Sequence, residues 1–423
     1  MSQTFTILCG NAAFNRGDRA NLASQIALLK SEFPGCRIIV GSYRAQIDRE
    51  WYDAEVIPRG KIFSRALFRA IKESDAVIFG GGALLADNAG RLLIPYWLCI
   101  IAFVRFILKK PVMAWAHGIV LETKLGKFLA RILLNITESV TVRDHDSLDQ
   151  LRALKLKVRP HLTADPAILI EPSSPHVGEK LLQEQAVTKD RRPLFAIAPT
   201  FWHLYHRPGD LLPYQWARSL GLRRDRSEKE FKEYTEALAH LCDRLIARFH
   251  CRILFLPRYP AAPWKEEERL ALVRTTSLSP EDITVFKGDD HPPRDYFSMW
   301  HHFDCLISVA LHDAIIATAL KIPCVHISYE PKGRSFFERI SALDRIISYE
   351  RFLKPEGPEA VTELTVRTLE RWPKLLPYLD RSVEALQEAA QANALHLKRM
   401  MERVGYTEKA SMEAARLQTS VAS

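Results

Sequence analysis

The 423-residue chain holds 47% hydrophobic and 26% charged residues, an ordinary soluble balance. It is too long for one hydrophobic core, so two domains are expected and long disordered stretches are not. Its net charge of +9 comes from basic residues spread from Arg37, Arg59 and Lys109 through Arg159, Arg192, Arg223 and Lys287 to Arg371, with no nucleic-acid-binding signature beside them. That spread argues against nucleic acid as a partner and for anionic small molecules or anionic lipid.

Residues 5–9 form an apolar strand with no secretory signal before it, so a cytoplasmic protein is expected and Asn135-Ile-Thr is an unused sequon. The seven cysteines stand in no CxxC or Cys/His spacing, which argues for reduced thiols and no metal. A helix over 19–31, with Leu22, Ile26 and Leu29 on one side, and a strand over 37–42 follow. Strands at 76–79, 112–116, 139–142 and 162–164 continue the alternation, which implies a parallel sheet covered by helices. Between them the uncharged run 92–104, with Pro95, Tyr96 and Trp97 near its start, is too short to span a bilayer. A helix buried against the first sheet is expected there. Peripheral membrane contact, through Arg105, Lys109, Lys110 and nearby aromatics, is the alternative.

Pro172, Ser173, Ser174, Pro175 and Gly178 give 171–192 the composition of a linker. A second series starts at strand 194–198 and runs through helix 228–249, strand 252–256, a helix near 265–275 and strand 283–286. It ends in a buried strand 306–309, a helix of small residues 314–320 and a strand 324–327. The fold class is therefore α/β, with two doubly wound Rossmann-like domains facing a cleft. Residues 1–175 form the first, on the acceptor side, and 190–350 the second; a helical tail, 351–423, packs back on the first.

Carboxyl ends of strands face the ligand crevice in such sheets. Six positions there stand out. The loop 10–21 presents Asn15 and Asp18 at a helix N-terminus, to hold an anion or to cap the helix. Gly80-Gly81-Gly82 allows close backbone approach. His117, before Gly118, is either a turn residue or a ligand contact. Arg143 is either an internal ion-pair partner or an anion ligand, with Asp144 or Ser147 capping the next helix. His312 stands between a buried strand and a buried helix, and Lys332 and Arg334 follow the next strand end.

These positions together resemble the polysaccharide pyruvyl transferase family. The pieces are Asn15-Arg-Gly17-Asp18, Asp75 through Gly82, His117-Gly118, Val142-Arg143-Asp144 through Ser147, Asp165-Pro166, Leu311-His312, Ile322-Pro323 and Ser328-Tyr329-Glu-Pro331-Lys332, in family order. The resemblance implies a GT-B-like fold with His312 as catalytic acid, and pyruvyl transfer from phosphoenolpyruvate to a saccharide of a cell-envelope polysaccharide as a ketal. Phosphoenolpyruvate is then a co-substrate and no cofactor is needed. The acceptor is a saccharide, lipid-linked if the enzyme works at the inner face of the membrane. Ala310 stands where the family commonly has an arginine, and the family's arginine after the first strand of the second domain is also absent, Ala198-Pro-Thr200-Phe-Trp202 standing there. The donor would be held by Lys332, Arg334, Arg258, His203 and Arg207, with His206 near, and the acceptor by Asn15, Asp18, Gly81, Gly82, His117 and Arg143. A nucleotide-sugar glycosyltransferase on the same architecture and a non-catalytic family member are the competing readings.

Overall fold

The computed structural model describes residues 3–9, 14–60, 64–187, 190–205, 209–222, 228–260 and 264–421. Among them two all-parallel sheets are built largely from the expected apolar runs, with edge strands at 55–58 and 346–348 that were not expected. The first holds β1 (Thr4–Leu8), β2 (Arg37–Ser42), β3 (Glu55–Pro58), β4 (Ala76–Ala86), β5 (Val112–Val120), β6 (Ser139–Val142) and β7 (Pro160–Leu162), in the spatial order 3-2-1-4-5-6-7. The second holds β8 (Leu194–Ala198), β9 (Arg252–Phe255), β10 (Ile283–Val285), β11 (Cys305–Ser308), β12 (Cys324–Ser328) and β13 (Ile346–Ser348), in the order 10-9-8-11-12-13. The order in which the chain lays down its parallel strands reverses between β1 and β4 and again between β8 and β11. Those two switch points open the crevices in which such sheets bind ligands.

Both faces of each sheet are covered, which is why the strands read as unbroken apolar runs. Phe79 and Trp115 in the first sheet and Phe195 and Phe255 in the second are fully buried, each worth roughly 1.5–3 kcal/mol of apolar transfer. The uncharged run folds as the helix Leu93–Ala102, ending in a π-helical turn, Phe103–Ile107. Ile94, Trp97, Ile101 and Val104 bury against the first sheet, as expected. No helix among the described residues is long and apolar enough to cross a membrane.

Three local expectations give way to pairing that only the fold reveals. The triple glycine does not end β4: Gly80 pairs with Trp115 and Gly82 with His117, and the strand runs on to Ala86 past a register shift. All three glycines have positive φ, from +84° to +143°, so side chains would strain the backbone there. His117 accordingly lies inside β5 and is fully buried. The presumed linker contains the helix Pro175–Glu184, and Gly178 is a packing glycine: a Cβ there would sit 2.4 Å from the backbone of Ser298 and Met299.

The final helix, Gly357–Val421, joins the two sheets. Val361 belongs to the core of the second sheet, Leu386 and Ala390 to the layer between them, and Ala394, Leu397 and Met400 to the core of the first. The tail thus starts on the second domain and crosses back onto the first.

Two buried histidines make the fold sensitive to acid. His117 sets Nε2 3.0 Å from the Phe79 carbonyl and is driven by burial down to about 3. His326, 2.8 Å from the Ser308 hydroxyl and stacked on Phe337, is driven by burial down to about 4. The unfolded chain titrates both near 6.5, so between 6.5 and 4 it binds protons the native state does not, and stability present above 6.5 is lost as pH falls. At pH 5 the two together are expected to cost on the order of 4 kcal/mol relative to pH 7.5. Urea titrations at the two pH values measure this. His326→Gln should flatten the acid limb, and an unchanged slope would rule out this origin.

Candidate active site

The site assembles where the N-terminus of the helix Arg16–Glu32 meets the N-terminus of the helix Leu311–Ala319 from the other domain. Asn15 caps the first: its Oδ1 accepts from the Gly17 amide at 2.9 Å and the Asp18 amide at 3.3 Å, while Nδ2 donates to the Tyr259 hydroxyl at 3.2 Å. Two arginines of that helix fix it to the second domain. Arg16 donates to the carbonyls of Pro257 (3.1 Å) and Gly288 (2.6 Å) and lies 4.0 Å over the Tyr296 ring, and burial draws its pKa down to about 10. Arg19 pairs with Asp289 at 2.6 Å.

His312 stands in the first turn of its helix, in the wall of the cleft. Its Nε2 is 3.1 Å from Arg143 Nη1 and 3.3 Å from Asp165 Oδ2, and its Nδ1 is 3.5 Å from Asp18 Oδ1. Nδ1 is buried and, among the described residues, makes no hydrogen bond. Both protonation states find a partner at Nε2: the neutral ring accepts from Arg143, and the protonated ring donates toward Asp165.

Asp165 is itself held on several sides. It pairs with Arg143, and its Oδ1 accepts from Asn21 Nδ2 at 2.6 Å and from the Ala167 amide at 3.0 Å. Burial opposes its charge, but His312, Arg143 and these hydrogen bonds outweigh burial and hold the carboxyl well below the usual carboxylate range. Arg339 bonds the carbonyls of Arg143 (3.0 Å) and Thr163 (2.7 Å), fixing the strand ends that carry the pair. Asp144, not Ser147, caps the next helix, accepting from the Ser147 amide at 2.7 Å.

Around His312 the cleft encloses about 230 Å³. Arg258, Lys332, Arg143 and Arg59 supply its cations. Arg258 donates to the Tyr329 hydroxyl at 3.4 Å; burial works against its charge, yet Tyr259, Tyr329, Asp18 and Asp313 hold its pKa well above the ordinary value. Lys332 is buried 3.7 Å from Glu330, and its pKa is lowered, chiefly by burial. Aromatic rings make much of the remaining wall: Tyr259 stacks on Trp264 at 4.7 Å and Trp202 on Tyr329 at 5.1 Å, with Tyr96 and Trp216 opposite.

Of the residues singled out in the sequence, Asn15, Asp18, Gly81, Gly82, Arg143, Arg258, His312 and Lys332 meet at this one cleft. Arg334 does not. It is exposed, because two residues of helix turn it about 200° from Lys332. His117 does not reach the cleft either, for the pairing reason given above. Arg207 and His206 lie outside the described residues, as does the side chain of His203. Ala310 is the buried N-cap of the His312 helix, and the cation beside His312 is Arg143, from the other domain.

Sequence reasoning assigned no role to Asp165, Gly17, Asn21 or Arg59. Asp165-Pro166 offered a signal, since an aspartate before proline caps a short helix, but its partner Arg143 is 22 residues away. Gly17 is required by contact: a Cβ there would lie 2.5 Å from His312 Cβ.

Two doubly wound domains joined by a crossing helix, with the reactive groups in the crevice between them, define a GT-B fold. Solved structures share it. S. aureus MnaA with UDP matches at a TM-score of 0.56 and 11% identity, over 95% of this chain and 97% of that one. UDP-GlcNAc 2-epimerase from Neisseria meningitidis, bound to UDP-GlcNAc, matches at 0.53 and 11%, over 94% and 100%. E. coli ADP-heptose lps heptosyltransferase II matches at 0.50 and 14%, over 87% and 99%. At such identities the likeness is one of fold. No curated protein has significant similarity to the chain. The chain belongs to the polysaccharide pyruvyl transferase family, whose profile matches residues 15–331.

Proposed function

We propose that this cleft transfers the pyruvyl group of phosphoenolpyruvate to two hydroxyls of a saccharide, forming a pyruvate ketal. The observation that carries the reading is the corner in which His312 Nε2 meets a guanidinium donor and a carboxylate at 3.1 and 3.3 Å, on the wall of a cleft lined by further cations. A ketal forms when a proton adds to C3 of the enol and C2 becomes electrophilic. One acceptor hydroxyl bonds to C2 and releases its proton, the C2–O bond to phosphate breaks with the electron pair leaving on phosphate, and the second hydroxyl bonds to C2. Of the two hydroxyl protons, one replaces that spent on C3 and the other leaves with phosphate.

His312 is the acid in this scheme, and an imidazole suits proton transfer near neutral pH. Asp165 keeps a negative charge beside the ring in either state, and Asp18, next to Nδ1, is placed to take a hydroxyl proton. Arg258 and Lys332 supply the charge that a small trianion needs, and so take the part expected of the arginines absent at 310 and near 200. The stacked rings suit the apolar faces of a sugar.

Incubation with phosphoenolpyruvate and envelope oligosaccharides tests the reading through phosphate release and ketal formation. Absence of both across a broad acceptor panel, with thermal stabilisation by a nucleotide sugar and none by phosphoenolpyruvate, would replace it with glycosyl transfer. Within the reading, Lys332→Gln or Arg258→Gln should raise the KM for phosphoenolpyruvate about ten- to a hundredfold, the scale of one charged hydrogen bond, with less effect on the acceptor. If neither substitution alters donor affinity, phosphoenolpyruvate is not the donor.

A further inference from the structure

The outer surface of the first domain carries an apolar row that the fold leaves uncovered. In the helix Lys124–Asn135, Gly126, Ala130, Leu133 and Leu134 face the sheet, while Leu125, Phe128 and Ile132, at the spacing i, i+3, i+7, stand on the opposite side. Beside it the π-helical turn that ends the helix Leu93–Ala102 exposes Phe106 and Ile107. These two, with Leu125 and Phe128, are 59–66% exposed, well beyond what scattered surface residues need. The pieces form one surface: the two helices pack together, Arg105 of the turn donates to the Ile136 carbonyl at 2.8 Å, and Phe68 of the helix Arg65–Glu73 meets Phe103 at 6.2 Å.

Charge decides what this surface fits. Lys124, Lys127 and Arg131 run beside the apolar row at the same spacing, and the helix holds no acidic residue. Arg65, Arg69 and Lys109 are exposed on the neighbouring elements, and among the described residues none of these six cations has an ion-pair partner. Of the nearby acids, Glu73 binds Arg37 and Glu138 binds Arg105, which leaves exposed Glu122, just before the helix, against these six cations. A second copy of the same face would set cations against cations. An apolar row flanked by unpaired lysine and arginine is instead the pattern of a helix lying in the interface of an anionic bilayer.

We propose that this face seats the protein on an anionic lipid surface. It runs to the cleft, because the helix Leu93–Ala102 begins with Leu93, Tyr96 and Trp97 in the cleft wall and the helix Lys124–Asn135 begins just past the carboxyl end of β5. Seated this way, and granting the pyruvyl transfer proposed above, the cleft meets saccharides carried on lipid rather than free ones.

Sedimentation with vesicles tests the seat without any assay of activity. The full chain is expected to partition onto phosphatidylcholine vesicles containing phosphatidylglycerol and not onto phosphatidylcholine alone. Lys124→Gln/Lys127→Gln/Arg131→Gln should weaken that partition about a hundredfold. Leu125→Ser/Phe128→Ser should weaken it at least tenfold, with an unchanged melting temperature. The lysine and arginine variant, altered only on exposed side chains, keeps the test decisive should the apolar one fold poorly. Failure of the unaltered chain to bind anionic vesicles overturns the proposal, as does equal binding by the charge variant, or a dimer that the apolar variant abolishes. If pyruvyl transfer is never detected, the sedimentation result still stands; if it is, both variants should keep their rate on soluble oligosaccharide and lose it on vesicle-borne acceptor.

Discussion

His312→Gln is expected to lower turnover by roughly two to four orders of magnitude, the scale of lost acid–base catalysis, while the protein still folds. The glutamine amide occupies similar space and still offers an acceptor to Arg143 and a donor to Asp165, the two groups now at 3.1 and 3.3 Å from Nε2. What it removes is the transferable proton. The loss should therefore appear in kcat and kcat/KM alike, with little change in the KM for the donor. Asp165→Asn is a poorer probe, because it takes from the buried Arg143 guanidinium its hydrogen-bonded carboxylate and leaves it only Asp144, 3.7 Å away; breaking a buried pair costs about 3–5 kcal/mol elsewhere. Circular dichroism melts separate the two effects: the glutamine variant should melt close to the parent and the asparagine variant well below it. A folded His312→Gln enzyme with full turnover would remove His312 from the chemistry.

Much of the fold was legible because parallel strands covered on both faces announce themselves as short apolar runs. The strands at 76–79 and 306–309 are such runs, and the histidine after the second falls at a strand's carboxyl end, where doubly wound sheets put their ligands. What stayed hidden depends on contacts remote in sequence. The continuation of β4 through three glycines follows from pairing with β5, and nothing in Gly80-Gly81-Gly82 itself encodes it. Lys332 and Arg334 look equivalent in the chain, and only the helix that carries them separates a buried cleft residue from an exposed one. Arg16 reads as a residue beside a cap until Pro257 and Gly288, more than 240 positions away, become its acceptors. Gly17 likewise read as part of the loop 10–21, whereas it sits in a helix with no unusual backbone angle and owes its identity to the histidine across the cleft.

That contact gives the second large effect. Gly17→Ala should lower kcat about a hundredfold although the new methyl touches neither donor nor acceptor. Inside a helix alanine is favoured over glycine by roughly 1 kcal/mol, so the substitution on its own would stabilise the protein. The added Cβ, however, would lie 2.5 Å from His312 Cβ, 2.7 Å from Nδ1 and 2.8 Å from Cγ, all far inside contact distance. The helix bearing Gly17 cannot easily retreat, because Arg16 and Arg19 bind it to the second domain. His312 must give instead, ring and Cβ together, by about an ångström, and a displacement of that size at a reacting group costs on the order of a hundredfold in rate. The melting temperature should stay near that of the parent, which sets this variant apart from a simple loss of stability. In a His312→Gly background, which lacks the Cβ as well as the ring, the methyl has room, so Gly17→Ala should bring no further loss there, a coupling that a double-mutant cycle reads directly. Equal losses from Gly17→Ala in both backgrounds would mean that the glycine serves something other than the approach of His312.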